Sequence, residues 1–186
     1  FQQDTVNFMM DVHYGLSQRD DLSLTFSEPT SRRALLELEN LPGVEYGEGY
    51  RAVPVRLRYE HRSYRSYILG FEPDTEIRRL VNTELQPVAL PRSGIVLNEY
   101  LGREILGLKL GDAVTVEVLN GHQETREIPV VALVRQYLGV GAYMNMDALN
   151  RLLREGDAIS GAYLYIDEAQ ANDVYERLKE RPRIVG

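Results

Sequence analysis

GIVLNEYLGREILGLKLGDAVTVEV, residues 94–118, decides how this chain is read. Ile95-Val96-Leu97 is a short unbroken apolar run, the pattern of a buried strand. Asn98 follows, and an asparagine side chain accepts hydrogen bonds from the free N–H groups of a first helical turn. Leu101, Ile105 and Leu108 then recur at helical spacing. Gly111-Asp112 closes a loop, and Val114, Val116 and Val118 alternate as in a half-buried strand. Strand, short helix, Leu-Lys-Leu-Gly-Asp turn and strand make one cassette. It holds no nucleophile, metal cluster or phosphate loop, so it reads as a part that moves or grips rather than one that reacts.

Outward from the cassette, Asn120-Gly121 lies between two alternating runs, a strong hairpin signal. The return strand spans 124–137, with Ile128, Val130, Ala132 and Val134 on one face. Gly139-Val140-Gly141 breaks it, and a helix follows over 146–154 with Leu149, Leu152 and Leu153 inward. On the N-terminal side, Val53, Val55, Leu57 and Tyr59 alternate, and residues 64–69 alternate again after His61-Arg62-Ser63. The two runs predict a hairpin. A weak helix is expected around 75–80, and residues 87–90 read as extended.

Earlier still, residues 1–16 read as a helix with Phe1, Thr5, Phe8 and Val12 on one stripe and Met9 beside it. Leu22-Ser23-Leu24-Thr25-Phe26-Ser27 alternates as a strand. Pro29-Thr30-Ser31 starts a helix whose inner face is Leu35, Leu38 and Leu41, and Pro42-Gly43 ends it. At the other end, Ala162, Leu164 and Ile166 alternate with Tyr163 and Tyr165. Asp167 and Gln170 form a capping box, Ala171, Val174 and Leu178 line a helix, and Ile184-Val185 enters a strand. One β-α-β unit therefore occupies about 22–59 and a second begins at Ile159. Side by side they make a split βαβ, ferredoxin-like sandwich. The fold class is α+β, with a discontinuous base at 22–61 and 156–186 and an inserted, mainly-β lobe at 62–155. Residues 1–21 precede the base and contain the helix read over 1–16.

Composition narrows the function. The chain has 186 residues, 44% of them apolar, a net charge of −7 and no cysteine. Nucleic-acid binding rests on neutralising phosphates with Lys and Arg, which an acidic chain disfavours. Without cysteine there are no disulfides, thiolate metal sites or thiol nucleophiles. No apolar run approaches the roughly 20 residues that cross a bilayer. His13, His61 and His122 have no second ligand at metal spacing on one helix face and read as surface residues. No Gly-x-Ser-x-Gly elbow is present; Ser93-Gly94 and Ser160-Gly161 read as turns. Gly47-Glu48-Gly49 and Gly139-Val140-Gly141 lack the rest of a phosphate loop and read as plain loops. Acidic pairs such as Asp20-Asp21 give no sign of a two-carboxylate glycosidase site. The sequence predicts no enzyme, no cofactor and no metal. Tyr137, Leu138, Tyr143, Met144 and Met146 cluster around the glycine break. Tyrosine and methionine suit adaptable contacts, so they are candidates to touch substrate or a partner. A loop packed on its own lobe is the other reading of the same residues.

Residues 94–118 are similar to the strand–"neglakrlglkvGD"–strand pattern of the FtsX-like permease family, with Gly111-Asp112 in its Gly-Asp position. Residues 135–149, a strand end, a glycine break and Tyr143 leading into a helix, resemble a second stretch of that family, and so does the split layout. The chain thus resembles the MacB-type periplasmic core domain of type VII ABC transporters. It departs in carrying Met144-Asn145-Met146 where many relatives have a proline, and it is too long for the division-type FtsX ectodomain. The resemblance implies a stalk helix at 1–21 following a transmembrane helix, a Porter-like base, a Sabre-like lobe and a non-catalytic domain outside the bacterial cytoplasmic membrane. It implies transmembrane helices on both sides, a cytoplasmic ATP-binding subunit or domain, and a second permease copy as partners. ATP hydrolysis would then drive substrate or partner movement. The contrasting expectation is a soluble ligand-binding or adaptor domain with no transporter attached.

Overall fold

The structure, a computed structural model, describes residues 9–10, 22–72, 80–81, 87–88, 90–121, 123–134, 141–180 and 184–185. Two units divide the chain, with borders at Arg51/Ala52 and Gly156/Asp157. The sequence places the first border ten residues later, after His61. The earlier border follows from strand β3 (Val44–Tyr59), whose first part pairs in one unit and whose second part pairs in the other.

The first unit holds β1 (Met9–Met10), β2 (Leu22–Ser31), helix α1 (Arg33–Glu39) and the start of β3. It also holds β11 (Ala158–Ile166), helix α3 (Ala171–Lys179) and β12 (Ile184–Val185). β12 and β1 pair with one edge of β2, β11 pairs with the other, and β3 lies beyond β11. All four pairings are antiparallel. Leu22, Leu24, Phe26, Leu164 and Ile166 are buried, as are Leu35 and Leu38 of α1 and Val174 and Leu178 of α3. α1 lies so close to the sheet that a Cβ on Gly47 would stand 2.9 Å from Leu164 Cδ2 and 3.1 Å from Leu35 Cδ1. Tyr50 stacks on Tyr163 at 4.7 Å and Tyr46 on Tyr165 at 6.1 Å.

Local expectations give way here to pairing. Pro29-Thr30-Ser31 does not begin a helix. After a bulge, Ile159 and Ala158 pair with Thr30 and Ser31 and extend β2 to Ser31, and α1 starts beyond Arg32. Gly47-Glu48-Gly49 is strand, not loop, and its glycines give room to Leu164 and Ile159. Ser160-Gly161 lies within β11 rather than at a turn. The Asp167 carboxylate accepts from Ala169 N at 3.1 Å, but it opens a 3-10 turn (Glu168–Gln170) before α3. The Asp167 N–H goes to Gly43 O at 2.8 Å instead of to Gln170, so the capping box is half made. The helix expected over residues 1–16 falls mostly outside the described residues. Its described members, Met9 and Met10, are strand, because the open edge of β2 offers them backbone partners.

The second unit is a closed ring. Its strands are the rest of β3, β4 (Arg62–Phe71), β7 (Ile95–Asn98), β8 (Ala113–Val118), β9 (Thr125–Val134) and β10 (Ala142–Asn145). The order is β3-β4-β10-β7-β9-β8, and β8 returns to β3 with Val55 opposite Val118 and Leu57 opposite Val116. Closure leaves no free edge in the ring. Val53, Val55, Leu57, Ile68, Ile95, Leu97, Val114, Val116, Ile128 and Val130 fill it. The predicted alternation therefore points into a barrel. Helix α2 (Met146–Leu153) covers the end with the β8–β9 connection, sending Leu149 and Leu153 inward. A π-helix (Tyr100–Leu106) covers the opposite end, beside the β3–β4 turn, where Arg62 Nη1 donates to Glu104 O at 3.4 Å. On the outer wall Glu117 bridges Arg58 at 2.8 Å and Arg56 at 3.5 Å across the β3–β8 seam. Such exposed pairs contribute little stability.

Two details differ from expectation. The connection at Asn120-Gly121 is longer than a two-residue turn, because Val118 N bonds Glu124 O at 2.8 Å and Leu119 N bonds Pro54 O at 3.0 Å. Leu80 is not helical but pairs with Val88, in a small sheet of β5 (Leu80–Val81) and β6 (Pro87–Val88). The remainder of the weak helix around 75–80, and the return strand beyond Val134, lie outside the described residues.

Candidate functional site

The cassette 94–118 is the best-defined feature of the barrel's second end. β7 passes into the π-helix at Asn98, whose Oδ1 accepts from Tyr100 N at 2.9 Å and Leu101 N at 3.3 Å. The helix is wound wider than the sequence predicts. Gly107 N donates to Gly102 O, five residues back, and Leu106 is buried where Ile105 was expected. Gly107 adopts φ 73° and turns the chain into the Leu-Lys-Leu-Gly-Asp segment.

That segment is tied down from three sides. Gly111 N donates to Val130 O at 2.9 Å and Val130 N to Asp112 O at 2.8 Å. The Asp112 carboxylate Oδ2 accepts from Lys109 N at 2.9 Å and from the Tyr59 hydroxyl at 2.8 Å. Donation by the Lys109 amide, and then by the Tyr59 hydroxyl, favours the charged form and lowers the Asp112 pKa; partial desolvation opposes them. The same bond raises the Tyr59 pKa, since ionised Tyr59 would lose its acceptor; desolvation and the charges of Asp112 and Glu60 add to this. Asp112 is thus a latch that fixes the turn to β3.

Three of the five predicted contact residues lie among the described ones. Tyr143, Met144 and Met146 are buried in β10 and the first residue of α2, and Tyr143 stacks on Phe71 at 6.4 Å. Their apolar bulk is what the ring and the α2 end need, so they pack on their own lobe. Tyr137 and Leu138 lie outside the described residues. Among the described residues, the large apolar side chains that the barrel exposes are Tyr67, Tyr100, Leu110 and Val131. Sequence reasoning missed them. Tyr67 alternates with buried Ile68, which signals an outward position. Val131 sits at a bulge against β7, which no local pattern marks. Among the described residues no group of three or more His, Asp or Glu side chains converges as a metal site would require. His61 stands at the β3–β4 turn; His13 and His122 lie outside the described residues. No helix among the described residues is long and apolar enough to cross a membrane.

Solved structures share this arrangement. The chain is similar to the extracellular domain of the ABC-type transporter YknZ from Gram-positive bacteria, with a TM-score of 0.61 and 12% identity, covering 88% of this chain and 97% of that one. It is also similar to the periplasmic region of MacB from Actinobacillus actinomycetemcomitans, with a TM-score of 0.53 and 13% identity, covering 82% and 75%. No family model and no curated protein matches the sequence. The chain therefore has a mixed α+β fold shared with these two transporter domains.

Proposed function

We propose that this chain is the non-catalytic extracytoplasmic domain of an ABC transporter permease. It transmits the work of cytoplasmic ATP hydrolysis to a substrate or partner outside the bacterial cytoplasmic membrane. The observation that carries this reading is the pairing of a discontinuous sheet unit with a barrel inserted into it, an arrangement that matches almost the full length of the YknZ extracellular domain. The strand order β12-β2-β11-β3, antiparallel throughout with helices after β2 and β11, supports a split βαβ, ferredoxin-like base of the Porter kind. The barrel corresponds to the Sabre-like lobe. Residues that brace a barrel suit a part that bears force. On this reading the partners are an ATP-binding subunit or domain, reached through the membrane part, and a second permease copy. Contact with substrate or partner falls to exposed side chains of the barrel such as Tyr100 and Leu110.

The test uses the full-length protein that carries this chain, purified from membranes in detergent. An ATP-hydrolysing subunit or domain should accompany it. Leu110→Asp with Tyr100→Asp should abolish the transport-dependent phenotype while ATP hydrolysis persists. A full-length protein found in the soluble fraction with no associated ATPase would overturn the proposal, and so would ATP hydrolysis by the 186-residue chain alone.

A further inference from the structure

We propose that the π-helix is a two-state element whose second state is an ordinary α-helix, with Ile105 in place of Leu106 against the barrel core. In α winding the residues that share a face are three or four apart, and in π winding they are five apart. This sequence satisfies both. Leu101, Ile105 and Leu108 form an α stripe, while Leu101 and Leu106, both fully buried, form the π stripe that the structure uses. Ile105 and Leu106 are adjacent, similar in volume, and able to fill the same space by turns. Ile105 already packs partly against the core.

Nothing at the helix start selects one winding. Asn98 caps the N–H groups of Tyr100 and Leu101, which are free in either form. The selection lies at the other end. A change from π to α shortens the register by one residue and passes that residue into the connection 107–112. Two left-handed glycines stand ready to absorb it, Gly107 at φ 73° and Gly111 at φ 97°, the latter with no atom within 4 Å of its Cβ position. The same connection carries exposed Leu110 and ends in the Asp112 latch on Tyr59. The latch holds the connection at its present length and so favours π. Gly102 helps, because its missing side chain lets the wide turn sit against Leu133, 2.8 Å from its Cβ position. Releasing the latch frees a residue of slack and favours α. Packed elements shift between discrete arrangements of this kind rather than deforming smoothly. Winding at one end of the cassette is thereby coupled to the position of Leu110 at the other.

The test is methyl relaxation dispersion on Ile105, Leu106 and Leu108 in the full chain, which detects exchange on the μs–ms scale. The wild type should show exchange. Ile105→Gln puts a polar group in the α-state core and should cut the minor population by about fivefold or more. Tyr59→Phe removes the side-chain tie of Asp112 to β3, leaving its backbone bonds to Val130, and should raise that population severalfold. Deleting Glu104 brings Leu106 to four residues after Leu101, so that α winding keeps Leu106 in the core without lengthening the connection, and should abolish the exchange. If the deletion variant does not fold, the two point variants still decide. Flat dispersion in the wild type overturns the proposal, as does exchange that neither point variant changes.

Discussion

Gly161 has no room for a side chain: a Cβ there would run into Leu24 O and the Tyr50 ring. The first of these is backbone of the paired strand and cannot step aside. Gly161→Ala should therefore destabilise by about 2–3 kcal/mol, the cost of overpacking a rigid site. It should appear as a lower urea midpoint at unchanged slope. Gly111 has open space around it but a φ of 97°, so Gly111→Ala should cost about 1 kcal/mol from backbone strain alone. A Gly161→Ala loss no larger than that of Gly111→Ala would refute the steric account. Asp112 is tested through pH. Its pKa is depressed in the folded state, first by the Lys109 amide and then by Tyr59, so the latch stabilises above the unfolded pKa and is lost as pH falls below about 4. Tyr59 is shifted upward, so its share is lost only as pH rises above about 10. Asp112→Asn should flatten the acid limb of a stability-against-pH curve and leave the neutral range flat. An acid limb of unchanged slope would place the titration elsewhere.

The same contrast between local and distant causes governs the elements. Asn145 was legible only as a residue before a helix, yet its Oδ1 accepts from Asp147 N at 2.9 Å and Ala148 N at 3.2 Å and fixes where α2 begins. Asn145→Ala should cost about 1–2 kcal/mol, and Asn145→Asp should recover most of it, as measured by urea unfolding. Equal losses in both variants would mean that burial, not capping, sets its value. Asn98 and the strands on either side of the cassette were readable because caps and period-two alternation act within a few residues. The winding of the helix between them was not. An α stripe is plainly written at Leu101, Ile105 and Leu108, and only the fit of Gly102 beside Leu133 and the tether at Asp112 reveal the π form. The extension of β2 through Pro29 was hidden for the same reason, since its partners Ala158 and Ile159 lie far along the chain. Tyr143, Met144 and Met146 allowed two readings in the sequence, because tyrosine and methionine fill a core as readily as they cover a surface, and all three are buried.

At the scale of the molecule, the order of elements can be read along the sequence, but the closure of the barrel cannot. Closure depends on β3 meeting β8, a pairing that joins Val55 to Val118 and Leu57 to Val116 across some sixty residues of chain. No local pattern announces it, which is why a border after His61 looks reasonable in the sequence and the structure sets it at Arg51/Ala52. The difference can be measured. Every member of the barrel's hydrophobic core, from Val53 to Leu153, lies between the two structural borders. A fragment of residues 52–156 keeps all six strands of the ring and both covering helices, so it should fold alone, with dispersed amide resonances and one cooperative urea transition. A fragment of residues 62–155, cut at the border the sequence suggests, lacks β3. Its ring would open between β4 and β8, exposing two hydrogen-bonding edges and removing Val53, Val55 and Leu57 from the core. Open edges of this kind recruit other chains, so the shorter fragment should aggregate or lack a cooperative transition. Equal behaviour of the two fragments would show that β3 does not complete the barrel in solution and that the unit's stability has another source.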